Sequence, residues 1–275
     1  MTGHRALTSR LCTHADFDTA WFRPWRPFFR SHRANHIRLG GTFHHRKEWE
    51  FIAISEVLRQ GGLLGAGRRG IVFAVGREPL PALFARFGCH ILATDQCPGE
   101  PGAWHGLWSP GKAALKRPEI CDPAVFDSRV AFAHLDMRTI PADVSGFDFA
   151  WSCCALEHLG SLQAGLDFIM AQFACLRAGG LALHSLEYNL TSNTHTVTSG
   201  PTVAYRRRDI ERLATMIRRA GHTLAPVDFR PGCAAEDRFE ARPPFHCMAS
   251  NLAHLRVRLD RFQVTSLLLI MWKGR

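Results

Sequence analysis

The chain of 275 residues lacks any run of eighteen apolar residues, so no segment is long and apolar enough to cross a bilayer as a helix. Its first residues carry His4, Arg5 and Arg10 where a secretory leader would have an apolar core, and the expectation is a soluble protein that stays in the cytoplasm. Nine cysteines are present without one Cys-x-x-Cys pair, and the only close pair, Cys153 and Cys154, is adjacent on an apolar stretch. Free thiols, and no metal site, are the simpler reading. There is no internal repeat, low-complexity segment or linker between domains. The chain is short of acids as well, with 24 Asp and Glu against 34 Lys and Arg, a net charge of +10. That excess is compatible with a nucleic-acid partner, an anionic substrate or an arginine-rich genome.

The most organised stretch is Gly70 to Gln96. Ile71 to Val75 is a continuous apolar run, as expected of a strand buried on both faces of a parallel sheet, and Gly76 breaks it. Pro79 stands where a helix tolerates proline, in its first turn, and Leu80, Leu83, Phe84 and Phe87 follow at the spacing of one buried face. Gly88 closes that helix. Ile91 to Thr94 forms a second buried strand, with Asp95 at its carboxyl end, about twenty residues after the glycine turn, where a carboxylate meets a ribose. Gly76 is followed by Arg77, Glu78, Pro79 and Leu80, so the Gly-x-Gly-x-x-Gly needed to cradle a pyrophosphate is missing. A nucleoside without phosphates needs less room.

Half of the net charge falls in residues 1 to 50, where nine Lys or Arg face four acids, interleaved with Phe17, Trp21, Phe22, Trp25, Phe28 and Phe29. Two readings stay open: aromatics that stack on a nucleic acid, or, as the blander one, a helical cap whose aromatics pack on the core. Residues 1 to 45 thus form a basic aromatic N-terminal extension, and 46 to 275 the main domain. The histidines there, including His36, His44 and His45, show no ligand spacing and are expected on a solvated surface. Arg46 to Leu58 is an amphipathic helix burying Trp49, Ile52, Ala53 and Val57, ended by Gly61 and Gly62.

Cys97 to Ser128, with Trp104 and Trp108, is a loop longer than ordinary connections. Val130 to Leu135 is a third strand, ending in Asp136 and Met137, and Phe147 to Cys153 a fourth, running into Cys154-Ala-Leu-Glu-His-Leu-Gly160. A helix capped by Ser161 and closed by Gly179-Gly180 buries Leu166, Ile169, Met170 and Phe173; Leu181 to Leu186 is a fifth strand, continuing into Glu187-Tyr188-Asn189. Asp209 opens another helix. Thr223 to Phe229 and Thr265 to Trp272 are the final strands, separated by an excursion with Pro243-Pro244 and a helix carrying Leu252, Leu255, Leu259 and Phe262.

In order and spacing, Val72-Phe-Ala-Val-Gly-Arg-Glu-Pro-Leu80, Ala93-Thr-Asp95, Asp136-Met137, Trp151-Ser-Cys-Cys-Ala-Leu-Glu-His-Leu-Gly160 and Leu176-Arg-Ala-Gly-Gly-Leu-Ala-Leu-His184 resemble class I S-adenosyl-L-methionine (SAM)-dependent methyltransferases over roughly residues 46 to 275. They look most like bacterial members acting on sugars or other small polar hydroxyl compounds. The resemblance implies an α/β fold, a Rossmann-like seven-stranded sandwich, here with an N-terminal helical cap and inserted loops. It implies SAM as cofactor, released as S-adenosyl-L-homocysteine (SAH), with contacts from Ala74, Gly76, Glu78, Asp95, Gln96, Asp136, Met137, Ser152 and Cys153. In the family Asp136 would bond the adenine amino group, though it could equally cap a helix, and Met137 would pack on the ring. The family usually has glycine at the place of Ala74 and often a small residue at that of Glu78. Arg46 or Lys47 would reach the methionyl carboxylate, or be solvated.

Residues after the fourth and fifth strands would face the methyl group: Glu157, His158, His184, Glu187 and Tyr188. His158 is the leading general base, with Glu157 beside it, because an imidazole titrates near neutrality. The acceptor implied is a small molecule or glycan. An alternative is an RNA 2′-O-methyltransferase, which in the small-RNA type uses Glu-x-x-Glu-His to hold a divalent ion; Cys154 replaces the first carboxylate here, which disfavours a hard cation. Another is a protein that binds SAM without transferring its methyl group. DNA amines are poor acceptors, since Trp151-Ser152-Cys153-Cys154 stands where base methyltransferases place Asp/Asn-Pro-Pro-aromatic.

Overall fold

A computed structural model describes residues 8–34, 37–97, 109–242 and 251–275. Its centre is a sheet whose parallel strands are β1 (Arg69–Val72), β2 (His90–Asp95), β3 (Val130–His134), β4 (Phe147–Cys153) and β5 (Leu176–Asn189), with β6 (Phe262–Trp272) antiparallel beside β5. The order β3-β2-β1-β4-β5-β6 reverses between β1 and β4. Such a reversal opens a crevice at the carboxyl ends of the strands. Register is well defined on both sides of β1, where Ile71 faces Leu92 on β2 and Ala150 on β4.

Period-2 alternation sorts the apolar residues onto two faces. Val72, Phe149, Trp151, Leu181 and Leu183 pack with α1 (Arg46–Gln60), α2 (Leu80–Arg86) and α3 (Pro123–Arg129). Ile71, Phe73, Ala150, Ala182 and Leu186 pack with α4 (Leu162–Gln172) and α5 (Arg207–Arg219). Gly70 is required on the first face, because a Cβ there would meet the Phe149 ring at 2.4 Å. Among the described residues no helix is long and apolar enough to cross a membrane.

Several elements differ from the sequence reading. The strand expected over Thr223 to Phe229 is broken into Thr223–Leu224 and Val227–Asp228, because Pro226 has no N–H for a ladder. Thr223–Leu224 pairs with the end of β6, and the N-terminal Ser9–Leu11 takes the remaining edge, antiparallel to β6 and parallel to Val227–Asp228. Arg256–Leu259, expected in a helix, is a strand that turns back on β6 through a two-residue hairpin with Asp260 at φ 54°; its alternation Arg-Val-Arg-Leu is that of a strand, and Leu252 is exposed. Pro243-Pro244 lies outside the described residues. The stretch Cys97 to Ser128, expected as loop, contains α3, whose start is capped by Asp122 Oδ1 accepting from the amides of Ala124 and Val125; Trp104 and Trp108 are outside the described residues. The helix after Ser161 stops at Gln172, and Gly179-Gly180 lies inside β5. Phe87, expected on a buried face, is 37% exposed. It meets Trp25 and Phe28 edge-on.

The N-terminal aromatics are core. Phe17, Phe22, Trp25 and Phe29 are buried against α1. The Trp25 indole donates to Glu56 at 3.0 Å, and Asp16 accepts from the Trp49 indole at 2.8 Å.

Candidate active site

A cleft of about 580 Å³ opens at the carboxyl ends of β1 to β5, within the range of small-molecule sites. Its floor is the turn after β1. Phe73 and Val75 still pair, their amides donating to the Trp151 and Thr94 carbonyls at 3.0 and 2.9 Å, but Ala74 and Gly76 take φ of 51° and 53°. Gly76 adopts that conformation freely, whereas Ala74 is strained by about 1 kcal/mol. Glu78 holds the turn to β4: its Oε1 accepts from the Trp151 indole at 2.6 Å. Burial pushes this carboxyl up to about 7, against the hydrogen bonds of Cys153 and Trp151.

Asp95 ties the turn to β2. Oδ2 accepts from the amides of Gly76 and Ser109 and Oδ1 from that of Gln96, each at 2.8 Å. Burial raises its pKa, and the three amides oppose the shift. The second lone pair of Oδ1 is still able to accept from a ligand. At the end of β3, Asp136 Oδ1 accepts from the Arg138 amide at 2.8 Å, and both its oxygens take the Arg138 side chain. Burial raises Asp136, but the hydrogen bonds and charge of Arg138 outweigh it and the pKa is lowered. Met137 packs into the core and lines the cleft.

The start of α1 forms the opposite wall. His45 caps it, Nδ1 accepting from the Lys47 amide at 3.0 Å. His45, expected on a solvated surface, is buried and stacks on the buried His254 at 4.3 Å. Arg46 and Lys47 are likewise not simply solvated. Arg46 grips Glu187 at the end of β5 through both nitrogens of its fork, one at 2.6 Å from Oε2. Lys47 Nζ donates to Glu50 at 3.0 Å and to the Cys153 carbonyl at 3.1 Å. Glu50, fully buried, also accepts from Ser185 at 2.9 Å, Ser266 at 2.6 Å and the Cys154 thiol at 3.1 Å. Burial raises Glu50, but the charges of Lys47 and Arg46 with the Ser266 bond outweigh it, and it stays an anion. Sequence reasoning missed this network; its one signal was an acid between Trp49 and Phe51, three and four residues after Lys47 and Arg46 on the helix.

After β4 the chain turns sharply, with Cys154 at φ 52°, and places Glu157 and His158 in the cleft. Glu157 is fully buried, and neither carboxyl oxygen has a hydrogen-bond partner among the described residues. Burial, then the neighbouring Glu187 charge, push its pKa to about 8. A Cys154 Sγ, a Glu157 oxygen and a Glu187 oxygen lie within 4.8 Å of one another. His158 Nδ1 is 2.8 Å from the Pro201 carbonyl, which only accepts, so Nδ1 carries the proton and Nε2 the lone pair. Burial lowers the His158 pKa, and the Pro201 bond opposes the shift.

The cleft therefore gathers Ala74, Gly76, Glu78, Asp95, Gln96, Asp136, Met137, Cys153, Glu157, His158 and Glu187. Three expected positions lie elsewhere. Ser152 is buried in β4 with its Oγ 2.8 Å from His184 Nδ1, so the two side chains are engaged with each other away from the cleft. His184 is held neutral there, burial lowering it to about 3. Tyr188 packs beside Phe229. All three follow from strand alternation, since neighbours on a strand point to opposite faces.

No protein-family model and no curated protein matches the chain. Solved structures do. A sarcosine dimethylglycine methyltransferase candidate from Galdieria sulphuraria superimposes with a TM-score of 0.50 at 13% identity, covering 80% of this chain and 84% of its own. The methyltransferase domain of bacterial CtHen1-CN gives 0.50 at 14% identity, over 83% of this chain and 100% of its own. At such identities the likeness concerns the fold, and the chain has the Rossmann-like fold of class I SAM-dependent methyltransferases.

Proposed function

We propose that the protein is a SAM-dependent methyltransferase that methylates a hydroxyl group of a small polar molecule or glycan. The observation that carries this reading is the cleft itself, where a glycine turn, carboxylates at the ends of β2 and β3 and the Glu157-His158 pair converge in a methyltransferase fold. The residues fit the cofactor: Asp95 retains acceptor capacity for ribose hydroxyls, Asp136 and Met137 stand for the adenine, and Lys47 has a third N–H beyond its two bonds for the methionyl carboxylate. Bound SAM would supply the methyl electrophile and keep the electron pair of the broken sulfur–carbon bond. His158, with its lone pair on Nε2, takes the proton of the acceptor hydroxyl as that oxygen gains the methyl group. The walls of α1 and the turn hold the partners in line.

The burial of Phe17, Phe22, Trp25 and Phe29 weighs against an RNA acceptor stacked on the N-terminal region. The test is calorimetric titration with SAH and, separately, NADH, followed by a search for methylated product over a panel of small hydroxyl compounds. Saturable binding of SAH alone with one methylated product supports the reading. Absence of SAH binding refutes it, and binding without any product favours a non-catalytic SAM-binding protein.

A further inference from the structure

The acceptor side of the cleft has a charge count that points to the chemistry of its ligand. Five charged side chains meet there: Glu50, Glu157 and Glu187 against Arg46 and Lys47. Arg46 is committed to Glu187 and Lys47 to Glu50. Nearby, burial pushes the Glu78 carboxyl up to about 7, and its Oε1 is bonded to the Trp151 indole; the thiol and the imidazoles next to Glu157 add no charge. The Cys154 thiol is kept protonated, burial and then the Glu50 charge pushing it well up, and burial holds His158, His45 and His254 neutral. With Glu157 ionised these five carry one net negative charge, and among the described residues Glu157 is the member of the set whose two oxygens have no hydrogen-bond partner. An unpartnered buried carboxylate is strongly disfavoured, so a single positive charge belongs beside it. A proton fulfils this when no ligand is present. A hard divalent ion is disfavoured, because the third group of the cluster is the protonated Cys154 thiol and Arg46 already holds Glu187.

Resting on the reading above as a hydroxyl methyltransferase, we propose that Glu157 seats a protonated amine of the acceptor, so that the acceptor is an amino alcohol or amino sugar whose hydroxyl is presented to His158. The ammonium supplies three N–H donors, enough for both Glu157 oxygens and the nearby Glu187 carboxylate. On binding, Glu157 gives up its proton to solvent and the acceptor arrives as a cation, so that the five side chains and the ammonium balance. The hydroxyl beside the amine then meets His158, the next residue in the chain, while Arg46 and Lys47 keep the other two carboxylates fixed.

The test uses the full chain preloaded with SAH. Glucosamine, galactosamine and 2-aminoethanol are titrated against glucose, galactose and ethylene glycol, in the wild type and in Glu157→Gln. At least one amine is expected to bind about tenfold or more tightly than its hydroxyl counterpart, and that preference is expected to vanish in Glu157→Gln while SAH still binds. Equal affinities within every pair, no binding by any of the three amines, or a preference that survives in Glu157→Gln would each overturn the proposal. Should the variant not fold, the wild-type pairs alone decide. A protein that binds no SAH fails the methyltransferase reading instead, so the two failures are distinguishable.

Discussion

Replacing Asp95 separates a structural from a binding role. Its carboxylate accepts three backbone amides, from Gly76, Gln96 and Ser109, and is 4% exposed. Hydrogen bonds to a charged acceptor contribute roughly 1.5–3 kcal/mol each, but amides lining an open cleft recover part of that from water. Asp95→Ala is therefore expected to cost about 2–4 kcal/mol of folding stability. It should also weaken SAH by about 1–3 kcal/mol, the loss of one hydrogen bond to ribose. Asp95→Asn separates the two effects: its carbonyl oxygen, placed as Oδ2, keeps the Gly76 and Ser109 bonds, and its NH₂ opposes only the Gln96 amide. That variant should lose about 1–2 kcal/mol of stability. Urea denaturation and calorimetry with SAH, corrected for the folded fraction, measure both quantities. Asp95→Ala unfolding within about 0.5 kcal/mol of the wild type would refute the claim that this carboxylate holds the turn. A folded Asp95→Ala protein with unchanged SAH affinity would refute its role toward ribose.

Three further outcomes follow from buried charge and packing. Removing the fork in Arg46→Met leaves Glu187 buried without its partner and is expected to cost about 3–5 kcal/mol, much of it recovered in the double variant with Glu187→Gln, as a double-mutant cycle in urea would show. Glu157 has its pKa raised from the ordinary carboxylate value of 4.5 to about 8, so the folded state holds an extra proton in that window. The stability it contributes is complete below about pH 4.5 and is lost as pH rises through 8, so the ligand-free protein should weaken across this range, and Glu157→Gln should flatten the curve; equal slopes in the two proteins would contradict the assignment. A chain beginning at residue 46 loses the Ser9–Leu11 strand and exposes the faces covered by Phe17, Phe22 and Phe29, and it is expected to unfold without cooperativity or to aggregate; a sharp two-state transition would contradict this.

The parallel part of the fold was legible because its signals are local. Ile71 to Val75, Ile91 to Thr94 and Phe147 to Cys153 are short apolar runs between glycines and prolines, and no other element buries both faces over so few residues. The edge was not legible. Whether Ser9–Leu11 or the segment after Pro226 fills the place beside β6 depends on a competition between segments more than 200 residues apart, and no local pattern records its result. The hairpin at Asp260 was misread for a related reason. Leu252, Leu255, Leu259 and Phe262 satisfy a helical spacing, while Arg256, Val257, Arg258 and Leu259 satisfy a strand, and the waiting edge of β6 selects the strand.

The site divides along the same line. Residues at the carboxyl ends of strands could be named from their place in the chain, and Asp95, Asp136, Glu157 and His158 do line one cleft. Ser152 and His184 could not be sorted from them, because one step along a strand exchanges cleft for core. The groups that set the charge of the cleft were hidden more deeply. Arg46 and Glu187 are 141 residues apart, and Glu50 meets Ser266 across 216. A basic residue at a helix start is ordinarily solvated, and only the docking of α1 onto the ends of β5 and β6 turns Arg46 and Lys47 into partners of buried carboxylates. Once those two cations are committed to Glu187 and Glu50, Glu157 is left in the cleft with no hydrogen-bond partner for either oxygen among the described residues, and the proposal that it faces the acceptor rests on that.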